Sequence, residues 1–198
     1  PRRPLTDYGK DKAEAEAFLL QETKAHGFPV TVLHPGHIVG PGWNPVNPAG
    51  HLNLDIFKKL ASGNEIILPN LGMETLHHVH ADDVAQAFEL AILHPAAANG
   101  ESFNIVSPRA MSMRGYAEIM GAWFRRPAVL KFLPWPQWRE NVSEEDAAIT
   151  WDHLIHSPCC SIDKARRLLH YQPRYTSPAA IQESVEWQIK NTGLLGTA

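Results

Sequence analysis

Short apolar, β-branched runs alternate with helical segments along this chain, and that alternation limits its possible folds most. Residues 10–26 are rich in Ala, Glu and Leu and stop at Gly27, a pattern that predicts a helix with a glycine C-cap. Residues 29–34 form a short apolar run closed by Pro35 and Gly36, which reads as a buried parallel strand. Residues 35–50 hold four prolines and four glycines and are expected to loop irregularly. Beyond them the pattern predicts a helix over 52–62, strands over 65–68 and 75–80, and a helix over 82–93 with carboxylates at its start. A strand over 101–106, a helix over 112–124 and a short strand over 129–132 follow. One helix over 136–155, another over 161–170 and a last one from Ser177-Pro178 to about Asn191 complete the reading, with residues 193–198 as a frayed tail. The fold class is therefore α/β, with a helix-rich end appended as a smaller lobe.

Composition excludes several partner classes. No run of 18 apolar residues is present, so a helical membrane span is not expected. Eighteen Lys and Arg against 21 Asp and Glu leave a net charge of -3 without a basic stripe, which argues against nucleic acid as a partner. Cys159 and Cys160 are adjacent, fit neither disulfide geometry nor the C-x-x-C spacing of zinc ligands, and suit a reducing, cytoplasmic compartment.

Tyr8 and Lys12 stand four residues apart at a helix start, on one face. A phenol with a pKa near 10 is a poor base at neutral pH, but a cation about 4 Å away in a medium of effective dielectric near 20 stabilises the phenolate by roughly 4 kcal/mol. Such a tyrosine can shuttle a proton while a hydride moves elsewhere. On its own the pair reads first as an exposed helix start with solvated lysines.

Three further segments give the pair its context: Leu33-His34-Pro35-Gly36-His37-Ile38-Val39-Gly40-Pro41-Gly42, then His78-Val79-His80-Ala81-Asp82-Asp83-Val84-Ala85, then Ser102-Phe103-Asn104-Ile105-Val106. In this order, with Tyr-x-x-x-Lys, they resemble the extended short-chain dehydrogenase/reductases, the NAD-dependent epimerase/dehydratase group. The resemblance spans nearly the whole chain and implies the C-terminal part of a Rossmann-type doubly wound parallel sheet with a smaller mixed α/β substrate-binding lobe. Residues 1–50 would be the last part of the NAD(P)-binding domain. Residues 51–198 would be mainly the substrate lobe, with 75–106 returning partly to the first domain. The resemblance further implies NAD or NADP as cofactor, Tyr8 as general acid/base, and Lys12 as the residue that bonds the nicotinamide ribose. Pro35, Gly36, His37 and Ile38 would run along the nicotinamide, their backbone contacting its carboxamide. Asn44, His78 and Trp135 are the expected contacts to a small-molecule substrate, sugar-like or a simple carbinol. A homodimer through helix 10–26, by a face carrying Phe18, Leu19 and Glu22, is also implied.

The departures from that family matter as much. No G-x-G-x-x-G leads into a helix here, so the Gly40–Gly42 loop is not a pyrophosphate cradle. The family's glycine motif, adenosine-binding acid and catalytic Ser/Thr precede the Tyr, whereas only seven residues precede Tyr8 and Thr6 is too near it to stand in. A truncated chain lacking on the order of 100 residues, at about 30 per βαβ unit, is the expectation, and such a piece is expected to be inactive alone. His34 and Val39 replace the Arg and Tyr usual in the turn. Glu74 stands where nucleotide-sugar enzymes often carry an Arg, and a carboxylate would repel a diphosphate. Asp82 and Asp83 read as structural, capping a helix and tying strand to loop, rather than catalytic. Asn104 is expected to pack against the lobe. His77, His78 and His80 lack an evident third convergent ligand, so no metal is expected. Trp123, Trp135, Trp138, Trp151 and Trp187 are expected to pack the lobe, with Trp135 or Trp138 as alternative pocket floors. A non-catalytic NAD(P)-binding sensor or scaffold of the same fold is the alternative to an enzyme.

Overall fold

A computed structural model describes residues 4–196. The chain opens with α1 (Asp7–His26), whose first turn is held by Thr6 Oγ1 accepting the Gly9 amide at 3.1 Å. Gly27, at φ 70°, closes it by returning its amide to Thr23 O, as the glycine position predicts. β1 (Thr31–Pro35), β2 (His37–Val39), α2 (Asp55–Ser62), β3 (Ile66–Pro69), β4 (Thr75–Leu76) and β5 (His78–His80) follow. Next come α3 (Ala81–Leu93), α4 (Pro95–Ala98), β6 (Glu101–Ile105), β7 (Met111–Ser112), α5 (Met113–Trp123) and β8 (Leu130–Leu133). The C-terminal part is helical: α6 (Trp135–Trp138), α7 (Glu144–His156), α8 (Asp163–Leu169) and α9 (Ser177–Thr192).

Two expectations are corrected. The single strand over 75–80 is two strands, because β4 pairs antiparallel with β7 while β5 pairs parallel with β2. The single helix over 136–155 breaks after Trp138, whose indole is buried and donates Nε1 to Ile67 O at 2.8 Å. A 3₁₀ turn, Arg139–Asn141, carries the chain to Ser143, which starts α7 anew by accepting the Asp146 amide at 3.1 Å. Of the tail, Leu194 is buried in the core, while residues 197 and 198 lie outside the described residues.

All three longer strand pairs are parallel: β1 with β6, β2 with β5, and β3 with β8. The turn at Gly36 is a fork. Its amide still bonds Ile105 O, on β6, whereas the next amide, His37, bonds His77 O at the start of β5. The β1–β2 path thus exchanges one partner strand for another within a single residue. A Cβ on Gly36 would sit 2.2 Å from His77 O and 2.9 Å from Val106 Cγ1, so only glycine lets β5 enter here. The other edge of β1 pairs with no described strand, and none of its residues is buried despite their apolar character.

Two apolar clusters hold the fold. Phe103, Ile105, Val79 and Ala87 pack with Ile162, Ala165 and Leu169, so α8 belongs beside β6. Phe57, Leu68, Tyr116, Met120, Trp138 and Ile181 belong to the larger cluster, which α2, β3, α5, α6 and α9 share. Trp123 and Trp135 pack partly against it, but Trp151 and Trp187 are exposed at 47% and 36%, contrary to expectation for those two. Among the described residues no helix is long and apolar enough to cross a membrane.

Candidate active site

Tyr8 and Lys12 share a face at the N-terminal end of α1, with the Lys12 Nζ 5.4 Å from the centre of the Tyr8 ring. Both open onto a cleft of about 1100 Å³ lined by α1, β1 and β6. Its walls include Glu16 and Leu19 from α1, His34 and Pro35 from β1, and Asn104 from β6. His156, Ser161 and Lys164 close it from the helical side. Sequence reasoning missed Glu16, His156, Ser161 and Lys164, since nothing but the tertiary fold brings positions so far apart in sequence to one wall. Glu16 Oε2 and His34 Nε2, 3.0 Å apart, bridge α1 to β1.

The remaining expected site residues do not line this cleft. Gly36 and His37 have their amides committed to Ile105 O and His77 O, which removes two of the backbone donors expected to meet a carboxamide. Ile38 pairs with Val79 in the β2–β5 ladder. Asn44 is tied to α9 through Gln188, at 2.7 Å. Trp135 stacks on Trp138 and donates its amide to Asn70 Oδ1 at 3.1 Å. Glu74 accepts from Asn70 Nδ2 in that same corner.

His78 is buried, opposite His37 in the β2–β5 register. Their rings lie 5.5 Å apart, and His153 of α7 meets His37 edge-on at 4.5 Å. Burial, reinforced by neighbouring His78 and His153, pushes the His37 pKa down to about 2. Burial likewise takes His78 down to about 3 and lowers His51, His77 and His153. These imidazoles are neutral at pH 7. Among the described residues no group of three or more His, Cys, Asp or Glu is arranged to hold a metal ion.

The two aspartates divide their expected work differently. Asp83 is fully buried and accepts the Arg174 and Tyr175 amides at 2.8 and 3.1 Å, tying α3 to the loop before α9. The N-cap of α3, however, is His80, whose Nδ1 accepts the Asp82 amide, so neither aspartate is the cap; both stand in the first turn. Asn104 reaches the loop before α8 through Ser161 O, at 3.3 Å.

The sequence profile of the NAD dependent epimerase/dehydratase family matches residues 1–106. The chloroplast stem-loop binding protein of 41 kDa b from Arabidopsis thaliana is 26% identical over 88% of this chain and 43% of its own length. The dTDP-D-glucose 4,6-dehydratase of Bos taurus is 22% identical over 96% of the chain and 50% of its own. Among solved structures, the dTDP-glucose 4,6-dehydratase of Bacillus anthracis, in complex with NAD, superposes with a TM-score of 0.71 at 18% identity. That superposition covers 98% of this chain and 55% of the other, which fixes the fold as Rossmann-like α/β. The chain spans about half the length of the relatives it matches, 43% and 50% for these two. It belongs to the NAD dependent epimerase/dehydratase family.

Proposed function

We propose that this chain supplies the acid–base half of an NAD(P)-dependent epimerase, dehydratase or reductase acting on a hydroxyl or carbonyl of a sugar-like or small carbinol substrate. In this reading residues 1–50 and part of 75–106 complete a dinucleotide-binding domain, and the rest of 51–198 forms the substrate lobe. The observation that carries it is the placement of Tyr8 and Lys12 together on the first turns of α1, facing a cleft beside parallel β1 and β6. Ligands of open α/β sheets bind outside the carboxyl ends of such strands.

The residues present fit a nicotinamide cofactor. The Lys12 ammonium makes no ion pair with a described residue and the Tyr8 side chain is 74% exposed, so both keep donors for a ribose and a substrate oxygen. NAD(P), when bound, supplies hydride transfer. Tyr8 takes the proton from a substrate hydroxyl, or returns it to a carbonyl oxygen, through its phenolic oxygen. Lys12 holds a ribose hydroxyl and stabilises the phenolate while the proton is away. Pro35 gives the cleft an apolar wall against which a planar ring can rest.

In the full-length protein Tyr8→Phe is expected to lower turnover by at least about 10²-fold while NAD binding, followed by fluorescence, persists. Turnover retained in that variant would refute the assignment. A relative named for stem-loop binding favours the second reading, a non-catalytic scaffold of the same fold. NAD binding without turnover on any polyol or carbonyl substrate would support it. Exposed, unpaired Cys159 and Cys160 support a reducing, cytoplasmic setting, and the exposed Phe18 on α1 supports a homodimer through that helix.

A further inference from the structure

Tyr8, Lys12 and Glu16 stand one turn apart along one face of α1, and all three line the cleft. Side chains on a helix lean toward its N-terminus, so Glu16 leans over the turn of Lys12, and Lys12 over that of Tyr8. Lys12 follows this course, its ammonium 5.4 Å from the centre of the Tyr8 ring. Glu16 does not. Its Oε2 lies 3.0 Å from His34 Nε2 on β1, and Lys12 makes no ion pair with a described residue. His34 itself lines the same cleft, opposite Asn104 in the β1–β6 register.

His34 and Lys12 thus compete for one carboxylate, and the chemistry of each pairing says which prevails. A carboxylate only accepts, so His34 Nε2 carries the hydrogen, and the bond forms whether or not the ring is charged. The Glu16 side chain is only 11% exposed, so the bond is sheltered from water on the carboxylate side. A lysine and a glutamate one turn apart, with the lysine first, make the weaker of the two orders, and solvent screens it. Remove the Nε2 donor, and the ammonium one turn away becomes a partner for Glu16. An ammonium matched by that charge supports a phenolate less, and has fewer hydrogens for a ribose.

We propose that His34 is a positioning residue of the Tyr8 cleft: by holding the Glu16 carboxylate against β1, it keeps that charge off Lys12 and leaves the ammonium to Tyr8 and a cofactor ribose. The proposal rests on the acid–base reading of Tyr8 and Lys12 and adds the two residues that keep the pair available. His34 acts through Glu16 and touches neither hydride nor reacting carbon.

The test uses the full-length protein labelled with ¹⁵N and ¹³C. A scalar coupling across a hydrogen bond, between Lys12 ¹⁵Nζ and Glu16 ¹³Cδ, is expected to be absent in the wild type and present in His34→Phe. NAD⁺ affinity, followed by fluorescence, should fall about tenfold in that variant, the loss of one good hydrogen bond. Adding Glu16→Gln to His34→Phe should recover it, because the competing charge is gone. His34→Gln, whose amide also donates, should keep the wild-type affinity. A tie that only held α1 in place would not be restored by removing its second partner. A Lys12–Glu16 coupling in the wild type overturns the proposal without any variant having to fold. Unchanged NAD⁺ affinity in His34→Phe, or affinity that stays low in the double variant, also overturns it. Turnover retained in Tyr8→Phe sinks the acid–base reading, while the couplings and affinities still establish what His34 does to Lys12. Turnover lost in Tyr8→Phe, with no coupling gained in His34→Phe, sinks the positioning role alone.

Discussion

At Gly36 a single missing Cβ decides how two strands share a partner. The His77 carbonyl occupies the place of that Cβ, 2.2 Å away, and it is backbone held in the β2–β5 ladder. Gly36→Ala is expected to cost about 1–3 kcal/mol by overpacking, read as a lower urea midpoint. An unchanged midpoint would mean the fork can open without loss. His37 and His78 act at the same scale through pH. Their folded pKa values, about 2 and about 3, lie below the unfolded 6.5, so the unfolded chain takes up protons first as pH falls. Stability is then complete above about pH 6.5 and declines below it, until the folded values are reached. Each group contributes a slope of about 1.4 kcal/mol per pH unit within that window. Denaturation between pH 7 and 5 should be less steep in pH for His78→Phe than for the wild type. Equal slopes would show that His78 is not buried neutral.

At the scale of elements, caps set where helices begin more firmly than hydrophobic pattern does. The segment 136–155 carries a weak helical pattern throughout, yet burial of Trp138 and the Ser143 cap divide it in two. The first turn of α7, Glu144, Glu145 and Asp146, also complements its dipole. Ser143→Ala should therefore destabilise the protein by about 1 kcal/mol in chemical denaturation, with fraying confined to α7. His80 does comparable work between elements. It caps α3 with Nδ1, stacks on Tyr175 at 3.8 Å, and brings Nε2 to 2.7 Å from the Glu183 carboxylate of α9. No spacing rule identifies a histidine as a cap, which is why the sequence pointed to the aspartates Asp82 and Asp83 for that work instead.

Across the whole molecule the two ends of the fold differ in how well they are held. α9 buries six residues, Ser177, Ala180, Ile181, Ser184, Val185 and Gln188, whereas α1 buries none over 20 residues. Amide exchange of this chain should accordingly be fastest in α1 and slowest around α9 and β3. Protection of α1 equal to that of α9 would require a partner on it. If that partner is a second copy, light scattering of the full-length protein gives twice the monomer mass and Phe18→Asp reduces it.

Much of this was legible in advance. Alternating runs specify α/β because period and length act locally, and the Tyr8–Lys12 pair needs only one turn of helix to bring its side chains together. Gly27, Ser112 and Pro178 mark helix ends by their own backbone and side-chain chemistry. The rest depends on contacts across 60 to 140 positions, which no local rule reaches. His153 meets His37 only once the fold packs α7 against the strands, and Asp83 is buried because the Arg174 and Tyr175 amides arrive to bond it. Local propensity thus determined the elements and the acid–base pair. The tertiary structure alone decided which histidines meet, how far they are desolvated and which of their nitrogens hydrogen-bond.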